Sequence, residues 1–98
     1  ARIAFDAVPL IEGIAALAQA GVRTGAAVRN RASYGAETAG FDSWRGDLLC
    51  DPQTSGGLLV AVAPEAAGAV LDIARIGGFA QAAVIGRMTA GPPLLTLA

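Results

Sequence analysis

The sequence predicts an α/β domain in which helices flank a mixed sheet. Apolar residues recur at helical spacing in two segments, and each segment is followed by glycine. Between them lies the continuous apolar run Gly57–Val62, typical of a strand covered on both faces. The composition is 54% hydrophobic with only 5% aromatic residues, so small side chains suit close packing of helices on a sheet.

The first elements are a strand and a helix. Arg2–Phe5 is predicted to be a short strand, and Asp6 is the candidate N-cap of the helix after it. Pro9 then lies near the first helical turn, where its missing N–H costs nothing. Apolar residues at helical spacing continue to Gly21, a suitable C-cap.

The middle of the chain has no clear period. Gly25–Gly46 is predicted to be a long loop with room for one helical turn. Loops of that length in a compact domain are usually functional or disordered. Asp47–Cys50 is expected to form one turn of helix.

The last third alternates strand and helix after the Gly57–Val62 strand. Pro64 and Glu65 open a second helix that ends at Gly77-Gly78, in the order that helix termini favour. Ala82–Met88 is predicted to be a strand, and Gly91-Pro92-Pro93 turns the chain into a last strand, Leu94–Leu97.

Charge excludes several classes of function. The net charge is −1, and all seven basic residues are arginines without a basic stripe, so no nucleic-acid partner is predicted. Lysine and histidine are absent, which removes the commonest general base and metal ligand. The one cysteine excludes an internal disulfide and a thiolate metal cluster and suits a reducing cytoplasm.

The surface and the chain ends support two further expectations. No apolar run reaches the roughly 20 residues that cross a bilayer, so no membrane partner is predicted. Only 15% of residues are charged, which predicts that part of the surface faces another domain or subunit. The chain opens at Ala1 directly into strand-like residues, so we expect a fragment of a longer protein.

The richest chemistry lies in Asp51-Pro52-Gln53-Thr54-Ser55-Gly56-Gly57, the signature loop below. Two hydroxyls, an amide and a carboxylate offer donors and acceptors. Two glycines permit positive φ and let backbone N–H groups approach a ligand, as in nests that hold phosphate. The alternative is a tight turn that feeds a strand, with Asp51 and Ser55 bonded to their own backbone.

The loop, the Leu58-Leu59 run after it and the Pro-Glu helix together resemble the C-terminal signature of selenophosphate synthetases (selenide, water dikinases). The flanks also resemble that family at Ile3–Leu10, at Gly21-Val22 with Arg29-Asn30-Arg31, and at Ala83–Arg87. The resemblance covers essentially all 98 residues. It implies the C-terminal domain of the aminoimidazole ribonucleotide synthetase superfamily, so residues 1–98 are expected to form a single C-terminal domain of a two-domain enzyme.

The resemblance also implies an activity. Full-length members convert selenide, ATP and water to selenophosphate, AMP and phosphate with Mg²⁺, and they form homodimers through the N-terminal domain that this chain lacks. Their reactive cysteine or selenocysteine, essential lysine and metal-binding aspartates lie upstream. No catalytic residue and no metal ligand is therefore expected here, and the fragment alone is expected to be inactive. The residues expected beside the nucleotide are Asp51, Gln53, Thr54, Ser55, Gly56, Gly57 and Asn30.

Individual residues leave alternatives open. Asp51 either orients a ligand group or a metal-bound water, or caps its own turn; Asn30 either reaches across to the signature loop or has a local structural use. Trp44 is expected to pack over the long loop, and Cys50 to be a buried, unreactive thiol with a raised pKa. Loop arginines such as Arg29 and Arg31 either meet phosphate or are solvated.

The turn before Arg29-Asn30 departs from the family. It reads Gly25-Ala26-Ala27 where relatives commonly have Gly-Gly-Thr, so the hydroxyl contact of that threonine is expected to be lost.

Three functions compete at this point. The first is the dikinase part already described, and the second is a non-catalytic module that binds nucleotide or a partner. The third is another superfamily member, such as a thiamine-monophosphate kinase or a hydrogenase maturation protein.

Overall fold

The computed structural model describes all residues, 1–98, and contains one four-stranded sheet. Its strands are β1 (Arg2–Ile3), β2 (Thr38–Ala39), β3 (Gly86–Arg87) and β4 (Leu95–Leu97), in the spatial order β2-β4-β1-β3. β4 is parallel to both β1 and β2, whereas β3 is antiparallel to β1. The predicted α/β class with a mixed sheet is confirmed.

Both ends of the chain lie in the centre of the sheet. Arg2 is opposite Thr96 on one side and Arg87 on the other. The ladder continues beyond β1, where the Phe5 N–H donates to the Ala98 carbonyl at 2.8 Å. The terminal strands were therefore predicted correctly, while the predicted Ala82–Met88 strand is reduced to Gly86–Arg87.

Four helices accompany the sheet: α1 (Ile14–Gln19), α2 (Gly25–Tyr34), α3 (Trp44–Leu49) and α4 (Ala67–Ile76). Short 3₁₀ turns occupy Phe5–Ala7, Gly35–Glu37 and Pro64–Ala66. The turn at Pro64 leads directly into α4, as its sequence predicted, and α3 extends the single turn expected at Asp47–Cys50.

The predicted start of the first helix is wrong. Asp6 lies in a 3₁₀ turn, Pro9 is outside any helix, and α1 begins only after Gly13. Gly13 has φ 81°, a left-handed conformation that interrupts the helical path and that glycine adopts without a steric penalty. The predicted end is correct, because Gly21 has φ 87° and the N–H groups of Gly21 and Val22 bond to the Ala18 and Leu17 carbonyls.

The long loop predicted at Gly25–Gly46 is also wrong, since α2 fills its first ten residues. Thr24 caps this helix by accepting the Ala27 N–H at 3.0 Å. Ala27 is the only residue of α2 that is buried, so the helix needs no apolar stripe and leaves no periodic signal in the sequence.

The strand predicted at Gly57–Val62 is absent. Leu58 is 95% exposed and Leu59 is 81% exposed. No residue from Pro52 to Val62 makes a backbone–backbone hydrogen bond. Neither edge strand of the sheet, β2 or β3, pairs with this run. An apolar run can form a strand only beside a partner strand, and no segment of this chain supplies one.

The core lies where α3 meets the segment after β1. The buried residues are Phe5, Ala18, Ala27, Phe41 and Gly46. Trp44 packs edge-on against Phe5 with ring centroids 5.3 Å apart, and the Arg45 guanidinium lies 4.8 Å from the Phe5 ring centre. Trp44 therefore packs on the turn after β1 and not over a long loop.

Gly46 allows α3 to approach Phe41. A Cβ at position 46 would overlap the Phe41 carbonyl, a backbone group that cannot rotate away. We expect Gly46→Ala to lower the free energy of unfolding by about 1–3 kcal/mol, the usual cost of overpacking. Urea unfolding followed by Trp44 fluorescence measures this change.

Gly68→Ala is the matched control. Gly68 lies in α4 with nothing within 4 Å of an added Cβ, so alanine should raise the free energy of unfolding by about 0.5–1 kcal/mol. Equal effects of the two substitutions would contradict the close approach at Gly46.

Candidate functional site

The C-terminus of α3 fixes where the signature loop begins. The Cys50 N–H donates to the Gly46 carbonyl at 3.0 Å, and the Asp51 N–H donates to the Leu48 carbonyl at 3.2 Å. These bonds complete the last turn of α3, so the loop leaves the domain core at Asp51.

The Asp51 carboxylate joins the loop to α2. Its Oδ1 accepts a hydrogen bond from the Thr24 hydroxyl at 2.6 Å, and its Oδ2 accepts one from the Gln53 amide at 3.2 Å. The first bond is short, as expected when the acceptor is ionised. Asp51 thus bonds within its own turn through Gln53 and also crosses to a helix 27 residues away in sequence.

Asn30 reaches across to the same place. Its side-chain amide donates to the Cys50 carbonyl at 2.9 Å, so it bonds the residue just before the loop. The structure therefore brings Asn30, Asp51 and Gln53 together at the start of the loop.

The second half of the loop projects away from the domain. Thr54 and Ser55 form an exposed turn, and neither hydroxyl bonds to a protein atom. Positive φ occurs only at glycines outside the loop, so Gly56 and Gly57 do not adopt the conformation that glycine permits. Open space surrounds Gly57, whereas a Cβ at Gly56 would lie 3.2 Å from the Gln53 Cβ.

A charged network joins α2 to α3 and to the residues on either side of them. Arg31 bonds Asp47 at 2.8 Å and Asp42 at 2.6 Å, while Arg23 approaches Asp47 at 3.5 Å. The hydrogen bonds that Arg31 donates to Asp47 and Asp42 raise the pKa of its guanidinium above the ordinary value. Arg31 is therefore neither a free phosphate ligand nor a solvated loop residue, whereas Arg29 is exposed and forms no ion pair.

A shallow groove follows this network and not the signature loop. It has a volume of about 500 Å³, and its charged lining residues are Arg23, Arg31 and Asp47. Two arginines facing shared carboxylates leave little net charge there, so the groove has no strong preference for an anion.

Cys50 is half-buried between these two regions. Burial raises the pKa of its thiol above the ordinary value, Arg31 lowers it to a smaller extent, and Asp47 raises it further. The prediction of a raised pKa is confirmed, and a mainly protonated thiol is a poor nucleophile.

The chain supplies no complete metal site, because no three Asp, Glu, Cys or His residues lie together as ligands would. No helix is long and apolar enough to span a bilayer.

Thr24 is the residue that sequence reasoning missed. Its hydroxyl caps α2 and bonds Asp51 at once, so the turn has a hydroxyl contact although Ala27 cannot provide one. The N-cap preference for threonine before Gly25-Ala26-Ala27 was a signal that could have found the helix start, but not the contact with Asp51.

Comparison with known proteins identifies the family. The model of the AIR synthase related protein C-terminal domain matches residues 1–94, and the chain belongs to that family. A "Selenide, water dikinase" from Burkholderia ambifaria is 46% identical over 101 residues, covering 100% of this chain and 28% of the relative. Proteins of the same name from Pseudomonas straminea and Rhizobium meliloti are each 47% identical, covering 95% and 89% of this chain.

These relatives confirm the resemblance to the selenophosphate synthetases. The chain spans only 26–28% of their length, so it corresponds to a small part of each.

The raised pKa of Cys50 makes its reactivity testable. We expect iodoacetamide to alkylate Cys50 more slowly in the folded protein at pH 8 than in the urea-unfolded protein, where the thiol has an ordinary pKa of about 8.5. Peptide mass spectrometry of the Cys50 peptide gives both rates.

The same pKa shift has a consequence for stability. The folded pKa lies above the unfolded one, so the contribution to stability is complete below about pH 8.5 and is lost as pH rises through the folded pKa. Cys50→Ser should remove this alkaline loss. Faster alkylation in the folded state would contradict the assignment.

Proposed function

We propose that this chain is the C-terminal part of a selenide, water dikinase, which converts selenide, ATP and water to selenophosphate, AMP and phosphate. The observation that carries the proposal is the intact signature loop, within a chain that is 46% identical over its whole length to a protein of that name. The ATP-dependent transfer, the cytoplasmic location and the homodimer are parts of the same proposal.

The signature loop would act by positioning. Phosphoryl transfer depends on alignment and charge stabilisation more than on covalent help from the protein. A segment without lysine or histidine can therefore still contribute. The hydroxyls of Thr54 and Ser55 form no hydrogen bond with a protein atom, and open space surrounds the Gly57 backbone, so both are available to a ligand. We place this face beside the ATP phosphates, with the nucleophile supplied by the rest of the enzyme.

Mg²⁺ does not fit a site made by this chain alone. Asp51 offers one carboxylate whose two oxygens are already bonded to Thr24 and Gln53, and no other acid joins it in a ligand cluster. A hard cation of this kind needs several oxygen ligands. In the proposed enzyme the metal is therefore held mainly by residues outside this chain.

The remaining part of the enzyme is proposed to cover an apolar surface. Only five of 98 residues are buried, so most apolar side chains of this chain have no cover within it. Exposed apolar side chains lie on the Leu58–Val62 run, on α4 and just beyond it; the most exposed are Leu58, Leu59, Ile73, Ile76 and Phe79. These exposed apolar side chains support the hypothesis that the chain packs against the N-terminal part of the enzyme. They count against the alternative hypothesis of a free-standing binding module.

Loop variants test the proposed role in the intact enzyme. Ser55→Ala and Thr54→Ala should each lower the rate of AMP formation about tenfold if the hydroxyl bonds only in the transition state. Gly56→Val should be worse, because a β-branched side chain would crowd Gln53. The assay is selenide-dependent AMP formation per mole of folded enzyme, with melting temperature as the measure of folding.

Ser33→Ala is the matched control for these variants. Its exposed hydroxyl bonds only the Arg29 carbonyl and no residue of the loop, so activity should stay near that of the unaltered enzyme. Loop variants with unaltered turnover, or a Cys50→Ser enzyme that folds but is inactive, would show that the roles are assigned wrongly.

The isolated 98-residue chain is expected to form no AMP from ATP and selenide, because it has no lysine, no histidine and only the shielded Cys50. The same assay, run beside the intact enzyme and a heat-denatured sample, measures this. AMP formation by the isolated chain above the denatured sample would contradict the division of roles.

A further inference from the structure

Two side chains of α2 hold the beginning of the signature loop. Thr24 bonds the Asp51 carboxylate at 2.6 Å, and Asn30 bonds the Cys50 carbonyl at 2.9 Å. We call this pair of contacts the α2 clasp. These two are the only side-chain hydrogen bonds that join α2 and its N-cap Thr24 to residues 50–57.

The orientation of the Thr24 hydroxyl is fixed by the helix. It accepts the Ala27 N–H at 3.0 Å while it donates its proton to Asp51. A hydroxyl has one proton and two lone pairs, so both bonds form at once from a single rotamer. Rotation of the side chain would lose the helix cap together with the contact to Asp51.

Asp51 transmits this restraint along the loop. Its Oδ2 accepts a hydrogen bond from the Gln53 side-chain amide at 3.2 Å, and Gln53 is the residue before the Thr54-Ser55 turn. Since Pro52–Val62 makes no backbone–backbone hydrogen bond, the side-chain bonds of Asp51 are the hydrogen bonds that restrain that turn from within this chain. The two hydroxyls assigned to the reaction are thus located through Thr24.

We propose that Thr24 is a positioning residue of the intact enzyme, supported by Asn30, and that it acts through Asp51 on Thr54 and Ser55. The proposal rests on the proposed function. It also separates two properties of Thr24, because capping α2 requires only an acceptor, whereas holding Asp51 requires a donor.

Three substitutions of Thr24 separate those properties. Thr24→Ser keeps both the acceptor and the donor. Thr24→Asp keeps a good helix cap but sets a second carboxylate against Asp51. Thr24→Val keeps the shape and loses both. Thr38→Val is the matched control, because the Thr38 hydroxyl bonds only the Gly35 carbonyl, outside the loop.

The first experiment measures selenide-dependent AMP formation by the intact enzyme, normalised to folded protein. We expect Thr24→Val and Thr24→Asp to lower kcat about tenfold with KM for ATP little changed, and Thr24→Ser to stay within about twofold. Thr24→Val added to Ser55→Ala should cause no further loss, because both act through one loop. Unaltered kcat in Thr24→Asp, or multiplying effects of Thr24→Val and Ser55→Ala, would overturn the proposal.

The second experiment does not depend on activity. Melting temperatures of Thr24→Val, Asp51→Ala and the double variant test the clasp itself, and the double variant should lose less than the sum of the two single losses, because the Thr24–Asp51 bond is counted in both. Additive losses would overturn the contact. If the unaltered enzyme forms no AMP with selenide, the proposed function and the catalytic part of this inference both fail. The melting temperatures of the single and double variants then still decide whether Thr24 bonds Asp51.

Discussion

The pairing of β1 with β4 is the constraint on which the rest of the structure depends. These two strands are the first and last of the chain, and they form the centre of the sheet. β1 leads directly to Phe5, which is buried against Trp44 at the start of α3. α3 in turn ends at the signature loop, so the position of Asp51, in the middle of the sequence, follows from the pairing of the two ends of the chain.

The sequence predicted those elements whose signals are local. Gly21 closes α1 because a glycine after the last helical residue accepts the left-handed conformation, and Pro64 with Glu65 marks the approach to α4. α2 escaped prediction because burial of the small residue Ala27 needs no apolar stripe. The run Leu58–Val62 was wrongly predicted to lie in a strand. Its apolar composition favours a strand but does not show that a partner strand is present.

The candidate site, like the fold, was predicted only in part from the sequence. The chemical groups of the signature loop were evident from sequence, because donors, acceptors and glycines are properties of single residues. Its restraints were not, because Thr24 and Asp51 are separated by 27 residues and meet only when α2 packs on α3. Gly56 and Gly57 do not have positive φ, because glycine permits that conformation but the surrounding chain decides whether it is used.

The two ends of the loop are held in different ways, which bears on how the proposed enzyme would be assembled. The Cys50–Asp51 end is fixed by α3 and by the α2 clasp within this domain. The other end continues into Leu58–Val62, whose apolar side chains have no cover here. Burial of apolar surface is favourable at about 25 cal/mol per Å², so a second domain that covers this run would also fix the far end of the loop. Under the proposed function, closing the interface between domains and completing the geometry around Thr54 and Ser55 are then a single event, and the hydroxyls reach their working position only in the intact enzyme.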